Sequence, residues 1–120
     1  MRTQTVGVRG TLLCGGEPLT DADLKLWDED TGPDPDDLMA VGRTSAEGKF
    51  ELKGTEIELT NIDPKLKVYH NCNNKWPCKR KTVFTISDKY IHAGREIDKW
   101  FELGVLNMET IFDGEEHKCL

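Results

Sequence analysis

Apolar side chains recur at every second position along most of this chain, and that period admits few folds. Val6, Val8, Gly10, Leu12 and Cys14 share one face of a first segment; Ala22, Leu24 and Leu26 share one face of a second, with Lys25 and Trp27 opposite. Phe50 and Leu52 point one way within residues 49–53. Leu66, Val68 and His70 alternate with Lys67 and Tyr69 within residues 65–72, and Thr82, Phe84 and Ile86 repeat within residues 79–86. Ile97, Lys99, Phe101 and Leu103 alternate with Asp98, Trp100 and Glu102. Side chains of a strand point to opposite faces in turn, so this pattern marks half-buried strands. Residues 38–44 read as a further strand, 56–59 as a weak short one, and 109–119 as a last one broken at Asp113-Gly114. Gly15-Gly16-Glu17-Pro18 and Ala46-Glu47-Gly48 supply turn chemistry. Residues 87–96 form a connection with room for one helical turn. About eight short strands at this spacing, with no competing long helical pattern, predict an all-β fold: an antiparallel sandwich or open barrel of about seven to eight strands. Residues 6–120 are expected to form one domain.

A chain of 120 residues, 37% hydrophobic and 32% charged, can bury a single modest core. No stretch approaches the roughly 20 apolar residues of a membrane-spanning helix. Met1-Arg2-Thr3-Gln4-Thr5 leads directly into strand-like sequence, so a secreted chain of this sequence would be the mature form behind an initiator Met. The net charge of −6 is unevenly placed: residues 65–99 carry +6 and the remainder −12. Such a molecule can present a cationic face despite its acidic average. That average excludes a general nucleic-acid binder, which needs aromatics set among many cations.

The four cysteines, Cys14, Cys72, Cys78 and Cys119, allow three pairings. The short spacing of Cys72 and Cys78 favours a small loop closed between them. Cys14 is then left to bond Cys119 and tie the first strand to the last. Two disulfides imply an oxidising, extracellular setting. The spacing does not match a zinc site.

Between Cys72 and Cys78 lie Trp76 and Pro77, with Lys75, Lys79, Arg80 and Lys81 around them. An indole beside cations suits a membrane–water interface, where the ring inserts and the cations meet anionic headgroups. The same residues suit a protein hot spot, and Trp76 folded onto Tyr69 or a neighbouring loop as packing is the third reading. The acidic run Asp28, Glu29, Asp30, Asp34, Asp36 and Asp37 offers oxygen ligands, but EF-hand spacing is missing and two prolines interrupt it. It is read as a solvated loop, with no metal and no cofactor expected. His70, His92 and His117 fall on three separate segments without a nucleophile motif, so no catalytic site is expected, and His70 reads as a hydrogen-bonded core histidine.

Gly10-Thr11-Leu12-Leu13-Cys14, Leu24-Lys25-Leu26-Trp27-Asp28-Glu29-Asp30, Asp36-Asp37-Leu38-Met39, Gly48-Lys49-Phe50, Ile62-Asp63-Pro64, Tyr69-His70-Asn71-Cys72 and Cys78-Lys79-Arg80-Lys81 together resemble the nematode transthyretin-like family, in order and spacing, over nearly the whole chain. Thr44-Ser45 and Ile86-Ser87 depart from the family's usual residues at two loops. The resemblance implies a secreted domain with a transthyretin-like β-sandwich, whose four cysteines match those here. It also implies an extracellular binding role, with one role attached to the family being a bridge in the engulfment of apoptotic cells. Such a bridge recognises phosphatidylserine on one side and a cell-surface receptor protein on the phagocyte on the other. The related hydroxyisourate hydrolases end in Tyr-Arg-Gly-Ser, whereas this chain ends Glu115-Glu116-His117-Lys118-Cys119-Leu120. The expected function is therefore non-catalytic recognition of an anionic phospholipid surface, phosphatidylserine, through Lys75, Trp76, Lys79, Arg80 and Lys81. Carriage of a small hydrophobic ligand is the alternative. Pairing of exposed strand edges would allow a homodimer.

Overall fold

A computed structural model describes residues 1–30 and 35–119. The described residues form ten strands: β1 (Arg2–Cys14), β2 (Glu17–Pro18), β3 (Asp23–Asp28), β4 (Asp37–Arg43), β5 (Lys49–Glu58), β6 (Pro64–His70), β7 (Lys79–Thr85), β8 (His92–Ala93), β9 (Phe101–Asn107) and β10 (Glu116–Lys118). A 3-10 turn, Asp88–Tyr90, sits in the expected connection. One sheet is built on β1, which pairs with β2, β5, β8 and β9; the other runs β10-β7-β6-β3-β4. The all-β sandwich expected from the period-two pattern is present. All pairings are antiparallel except β1 with β9, which run parallel.

The core lies between the sheets. Val6, Val8 and Leu12 of β1, Leu24 and Leu26 of β3, and Leu66 and Val68 of β6 are fully buried, with Phe50, Leu52, Ile86 and Met108 closing around them. These are the inward positions the alternation marks, and burying each such side chain is worth about 1.5–3 kcal/mol. Gly48 closes the turn before β5 with φ +77, and a Cβ there would meet the carbonyl oxygen of Leu12.

Three segments depart from the sequence pattern. Residues 56–59 are not a separate strand, because β5 continues unbroken to Glu58 against β1, with Arg2 opposite Glu58. The alternation at residues 97–103 becomes a strand only from Phe101, because Ile97 and Trp100 fold over the outer face of β1 at Gly7, where a side chain would collide with both. Of residues 109–119, only Glu116–Lys118 pair, with β7.

The cysteine pairing also differs from the expected one. Cys14 bonds Cys72 and Cys78 bonds Cys119, in place of Cys14–Cys119 and Cys72–Cys78. Register explains it. Lys118 faces Lys79 in the β10–β7 ladder, so the next position on each strand sets Cys119 beside Cys78. Cys72 continues the buried face of Leu66, Val68 and His70, which turns it toward the end of β1, where Cys14 waits in the other sheet. One bridge joins the two sheets and the other clips an edge strand to its neighbour.

Candidate functional site

The loop between β6 and β7 is organised by Asn74. Its backbone N–H donates to Asn71 O at 3.1 Å. Its Nδ2 donates to Asn71 Oδ1 at 2.9 Å and to Cys78 O at 2.7 Å, and its Oδ1 accepts the Trp76 N–H at 3.1 Å. Asn73 turns the chain with φ +50, a conformation asparagine tolerates better than most residues. Each end of the loop is held by a disulfide, one to each sheet. The loop is therefore anchored at both ends and cross-braced within.

On this frame Trp76 projects into solvent, 69% exposed. Its ring meets that of His117 edge-on, centroids 6.0 Å apart, and His117 Nε2 lies 3.1 Å from Asn74 Oδ1. Tyr69 is buried beneath Lys25 and does not receive Trp76, whose ring contact is instead with His117 of the neighbouring C-terminal segment. Ile111, 77% exposed, lines the same shallow concavity as Lys75, Trp76 and His117. Ile111 and His117 escape the sequence reading of this loop because the Cys78–Cys119 bond, not chain order, brings the C-terminal segment to it.

The surrounding cations do not behave alike. Lys75 is exposed, with no ion pair among the described residues. Lys79 is half-buried and bonds Asp23 at 2.7 Å; Lys81 pairs with Glu116 at 3.2 Å. Arg80 is only 4% exposed and is a correction to the expected surface set. All five of its N–H groups are used: Nε and Nη2 donate to the two Glu115 oxygens at 2.9 and 2.7 Å, Nη1 to Cys72 O and Met108 O at 2.7 and 2.8 Å, and Nη2 also to Thr110 O at 3.1 Å. It holds the site's base together and presents no charge to solvent. Alternation alone shows this inward direction: Arg80 shares a face with Thr82, which is fully buried.

Beside this pair, His70 is 2% exposed, and its Nδ1 accepts the Cys72 N–H at 3.1 Å, as expected of a core histidine. Burial first, and then the positive charge of Arg80, push its pKa from 6.5 down to about 4. Burial also pushes the Glu115 carboxyl up, but the Arg80 hydrogen bonds and charge outweigh it and leave it below its ordinary value. A depressed histidine is neutral in the folded state and charges on unfolding. Its contribution is thus complete above the unfolded pKa of 6.5 and is lost as pH falls toward about 4. Urea unfolding from about pH 7 to about pH 4 should show a stability loss of order 3 kcal/mol that His70→Gln removes; the same slope in the variant would refute this assignment.

The other imidazoles lie elsewhere. His92, on β8, accepts the Lys99 N–H at 3.0 Å, and His117 flanks Trp76. At the opposite end of β6, where Asp28 faces Pro64, the acidic segment gathers. Glu29 pairs with Lys67 at 3.2 Å, and Asp36 Oδ1 accepts the Asp30 N–H at 3.0 Å. Asp34 lies outside the described residues.

Comparison with known proteins agrees over the region that builds the loop. The family model described as TTR-52, transthyretin-like family, matches residues 9–87. Transthyretin-like protein 46 of Caenorhabditis elegans is 48% identical over 122 residues, covering 100% of this chain and 68% of its own length. Transthyretin-like protein 5 of the same organism is 46% identical over 119 residues, covering 98% of this chain and 86% of its own length. Transthyretin-like protein 33 is 43% identical over 119 residues, with 98% and 83% covered.

Proposed function

From the premise that this chain belongs to the transthyretin-like family, we propose that it is a secreted, non-catalytic binding protein that recognises phosphatidylserine on cell surfaces through the Trp76 loop and links it to a receptor. The observation that carries the reading is the exposed indole on a doubly anchored loop, with exposed Lys75 beside it. An indole at the headgroup level with a flanking cation is the arrangement an anionic bilayer favours. The two disulfides support an extracellular setting. Lys79 and Lys81, already paired with carboxylates, act in this reading through the shape of the loop base more than through free charge. Arg80 is left out of the contact set.

Cosedimentation with phosphatidylserine vesicles, against phosphatidylcholine vesicles, tests it. We expect selective binding that weakens with salt, a loss of about fivefold or more for Lys75→Glu at about 1 kcal/mol per basic residue, and a larger loss for Trp76→Ala. Equal binding of wild type and Trp76→Ala would end this assignment.

A second reading, carriage of a small hydrophobic ligand, has one specific support. The space between the sheets is filled by core side chains. However, a groove of about 390 Å³ over β3, β4 and β6 presents Val41 and Tyr69 between Lys25 and Arg43. Native mass spectrometry of protein from its source, with Val41→Glu as control, would reveal a copurified small molecule.

A further inference from the structure

We propose that Asp28, Asp30, Asp37 and Glu58 form a binding site for a divalent cation of calcium size, at the end of the sandwich opposite the Trp76 loop. Three strands converge there: Asp28 ends β3, Asp37 begins β4 and Glu58 ends β5, while Asp30 follows β3 by two residues. One carboxylate oxygen from each lies within 4.8 Å of all the others. Oxygens no farther apart than this can all reach a single ion. Calcium–oxygen distances are about 2.3–2.6 Å, so ligands on opposite sides of one calcium lie about 4.6–5.2 Å apart and all others lie closer. Magnesium, at about 2.0–2.1 Å, draws its ligands within about 4.2 Å and asks for a tighter, more regular shell.

Crowded carboxylates alone make no site, and Asp28 supplies the second observation. It is 1% exposed. Its Oδ1 accepts the Asp63 N–H at 2.8 Å, which fixes the carboxylate in place, but the equally buried Oδ2 has no hydrogen-bond partner among the described residues. Burying an ionised oxygen without a donor is costly, and proteins resolve such a group by pairing it or giving it to a metal. No lysine or arginine forms an ion pair with Asp28, Asp37 or Glu58 among the described residues. Of the lysines of β6, Lys67 is engaged by Glu29 and Lys65 by Asp63.

The strands hold these carboxylates together at one place. Hard oxygen donors, one of them preset by a backbone N–H, are the ligand chemistry of calcium.

The test uses the whole chain stripped with chelator, titrated with calcium chloride or magnesium chloride, and followed by calorimetry and thermal melting. We expect calcium to bind in one-to-one ratio and to raise the melting temperature by roughly 10 °C at a hundredfold excess over its dissociation constant, with magnesium much weaker. Asp37→Asn and Glu58→Gln, at less buried positions than Asp28, should melt higher than wild type in chelator, because each removes a repelling charge, and should lose most of the calcium response. Absence of heat and of any melting shift in wild type at millimolar calcium would overturn the proposal. So would an undiminished response in both variants, which would place the ion elsewhere.

Discussion

Replacing Arg80 with methionine is expected to lower the unfolding free energy by about 3–5 kcal/mol, the range found when one partner of a buried ion pair is removed. The change deletes all five hydrogen bonds of the guanidinium and leaves Glu115, whose side chain is 7% exposed, as an uncompensated buried charge. Three carbonyls, of Cys72, Met108 and Thr110, lose their donor at the same time. Arg80→Lys should rescue little, because an ammonium has three donors and no planar fork to meet the Glu115 carboxylate with two parallel bonds. Arg80→Met combined with Glu115→Leu should recover much of the loss, since an apolar pair of similar volume leaves no charge buried. Urea unfolding of the three variants at neutral pH decides it. A loss below about 1 kcal/mol for Arg80→Met would mean that Arg80 is a surface cation, and the expected lipid-contact set would stand as first drawn.

Removing the Cys14–Cys72 bridge with paired alanines is expected to cost about 4 kcal/mol, from closure of a 58-residue loop in the unfolded chain. Chain entropy assigns a similar value to Cys78–Cys119, with its 41-residue separation. The structure separates the two in practice. The first bridge joins the sheets at the buried end of β6, so its loss opens the core. The second clips β10, three exposed residues on a sheet edge, so its loss can be absorbed by local release of that strand and costs less globally. It should nonetheless free His117 from Trp76, and with it the shape of the candidate contact surface. Unfolding curves of the two paired variants test the order. A non-reducing digest that yields Cys72 bonded to Cys78 would refute the pairing itself.

Much of the site was in the sequence, but not what each of its residues meets. Trp76 and Lys75 stand where a tight loop would put them. Arg80, written beside Lys79 and Lys81, looks like one of three equivalent cations and turns out to be the buried centre of a hydrogen-bond network. Its partners, Glu115 and the carbonyls of Met108 and Thr110, lie 28 to 35 positions away, and no local pattern announces them. The acidic run between β3 and β4 shows a similar gap. Read along the chain it lacks a calcium-binding spacing, because Glu58, the ligand from the other sheet, is not part of the run.

The sequence by itself determined the strand class, the inward residues and the family. Period-two alternation is a property of each segment alone, and burial of one face follows from it without knowledge of the neighbours. The tertiary structure decided the rest: the parallel pairing of β9 with β1, the disulfide partners, the hydrogen-bond partners of Arg80, and the meeting of Asp28 with Glu58. Each of these depends on strand order and register between segments distant in sequence. Those are set by the summed packing of both sheets, and no short stretch of residues carries that sum.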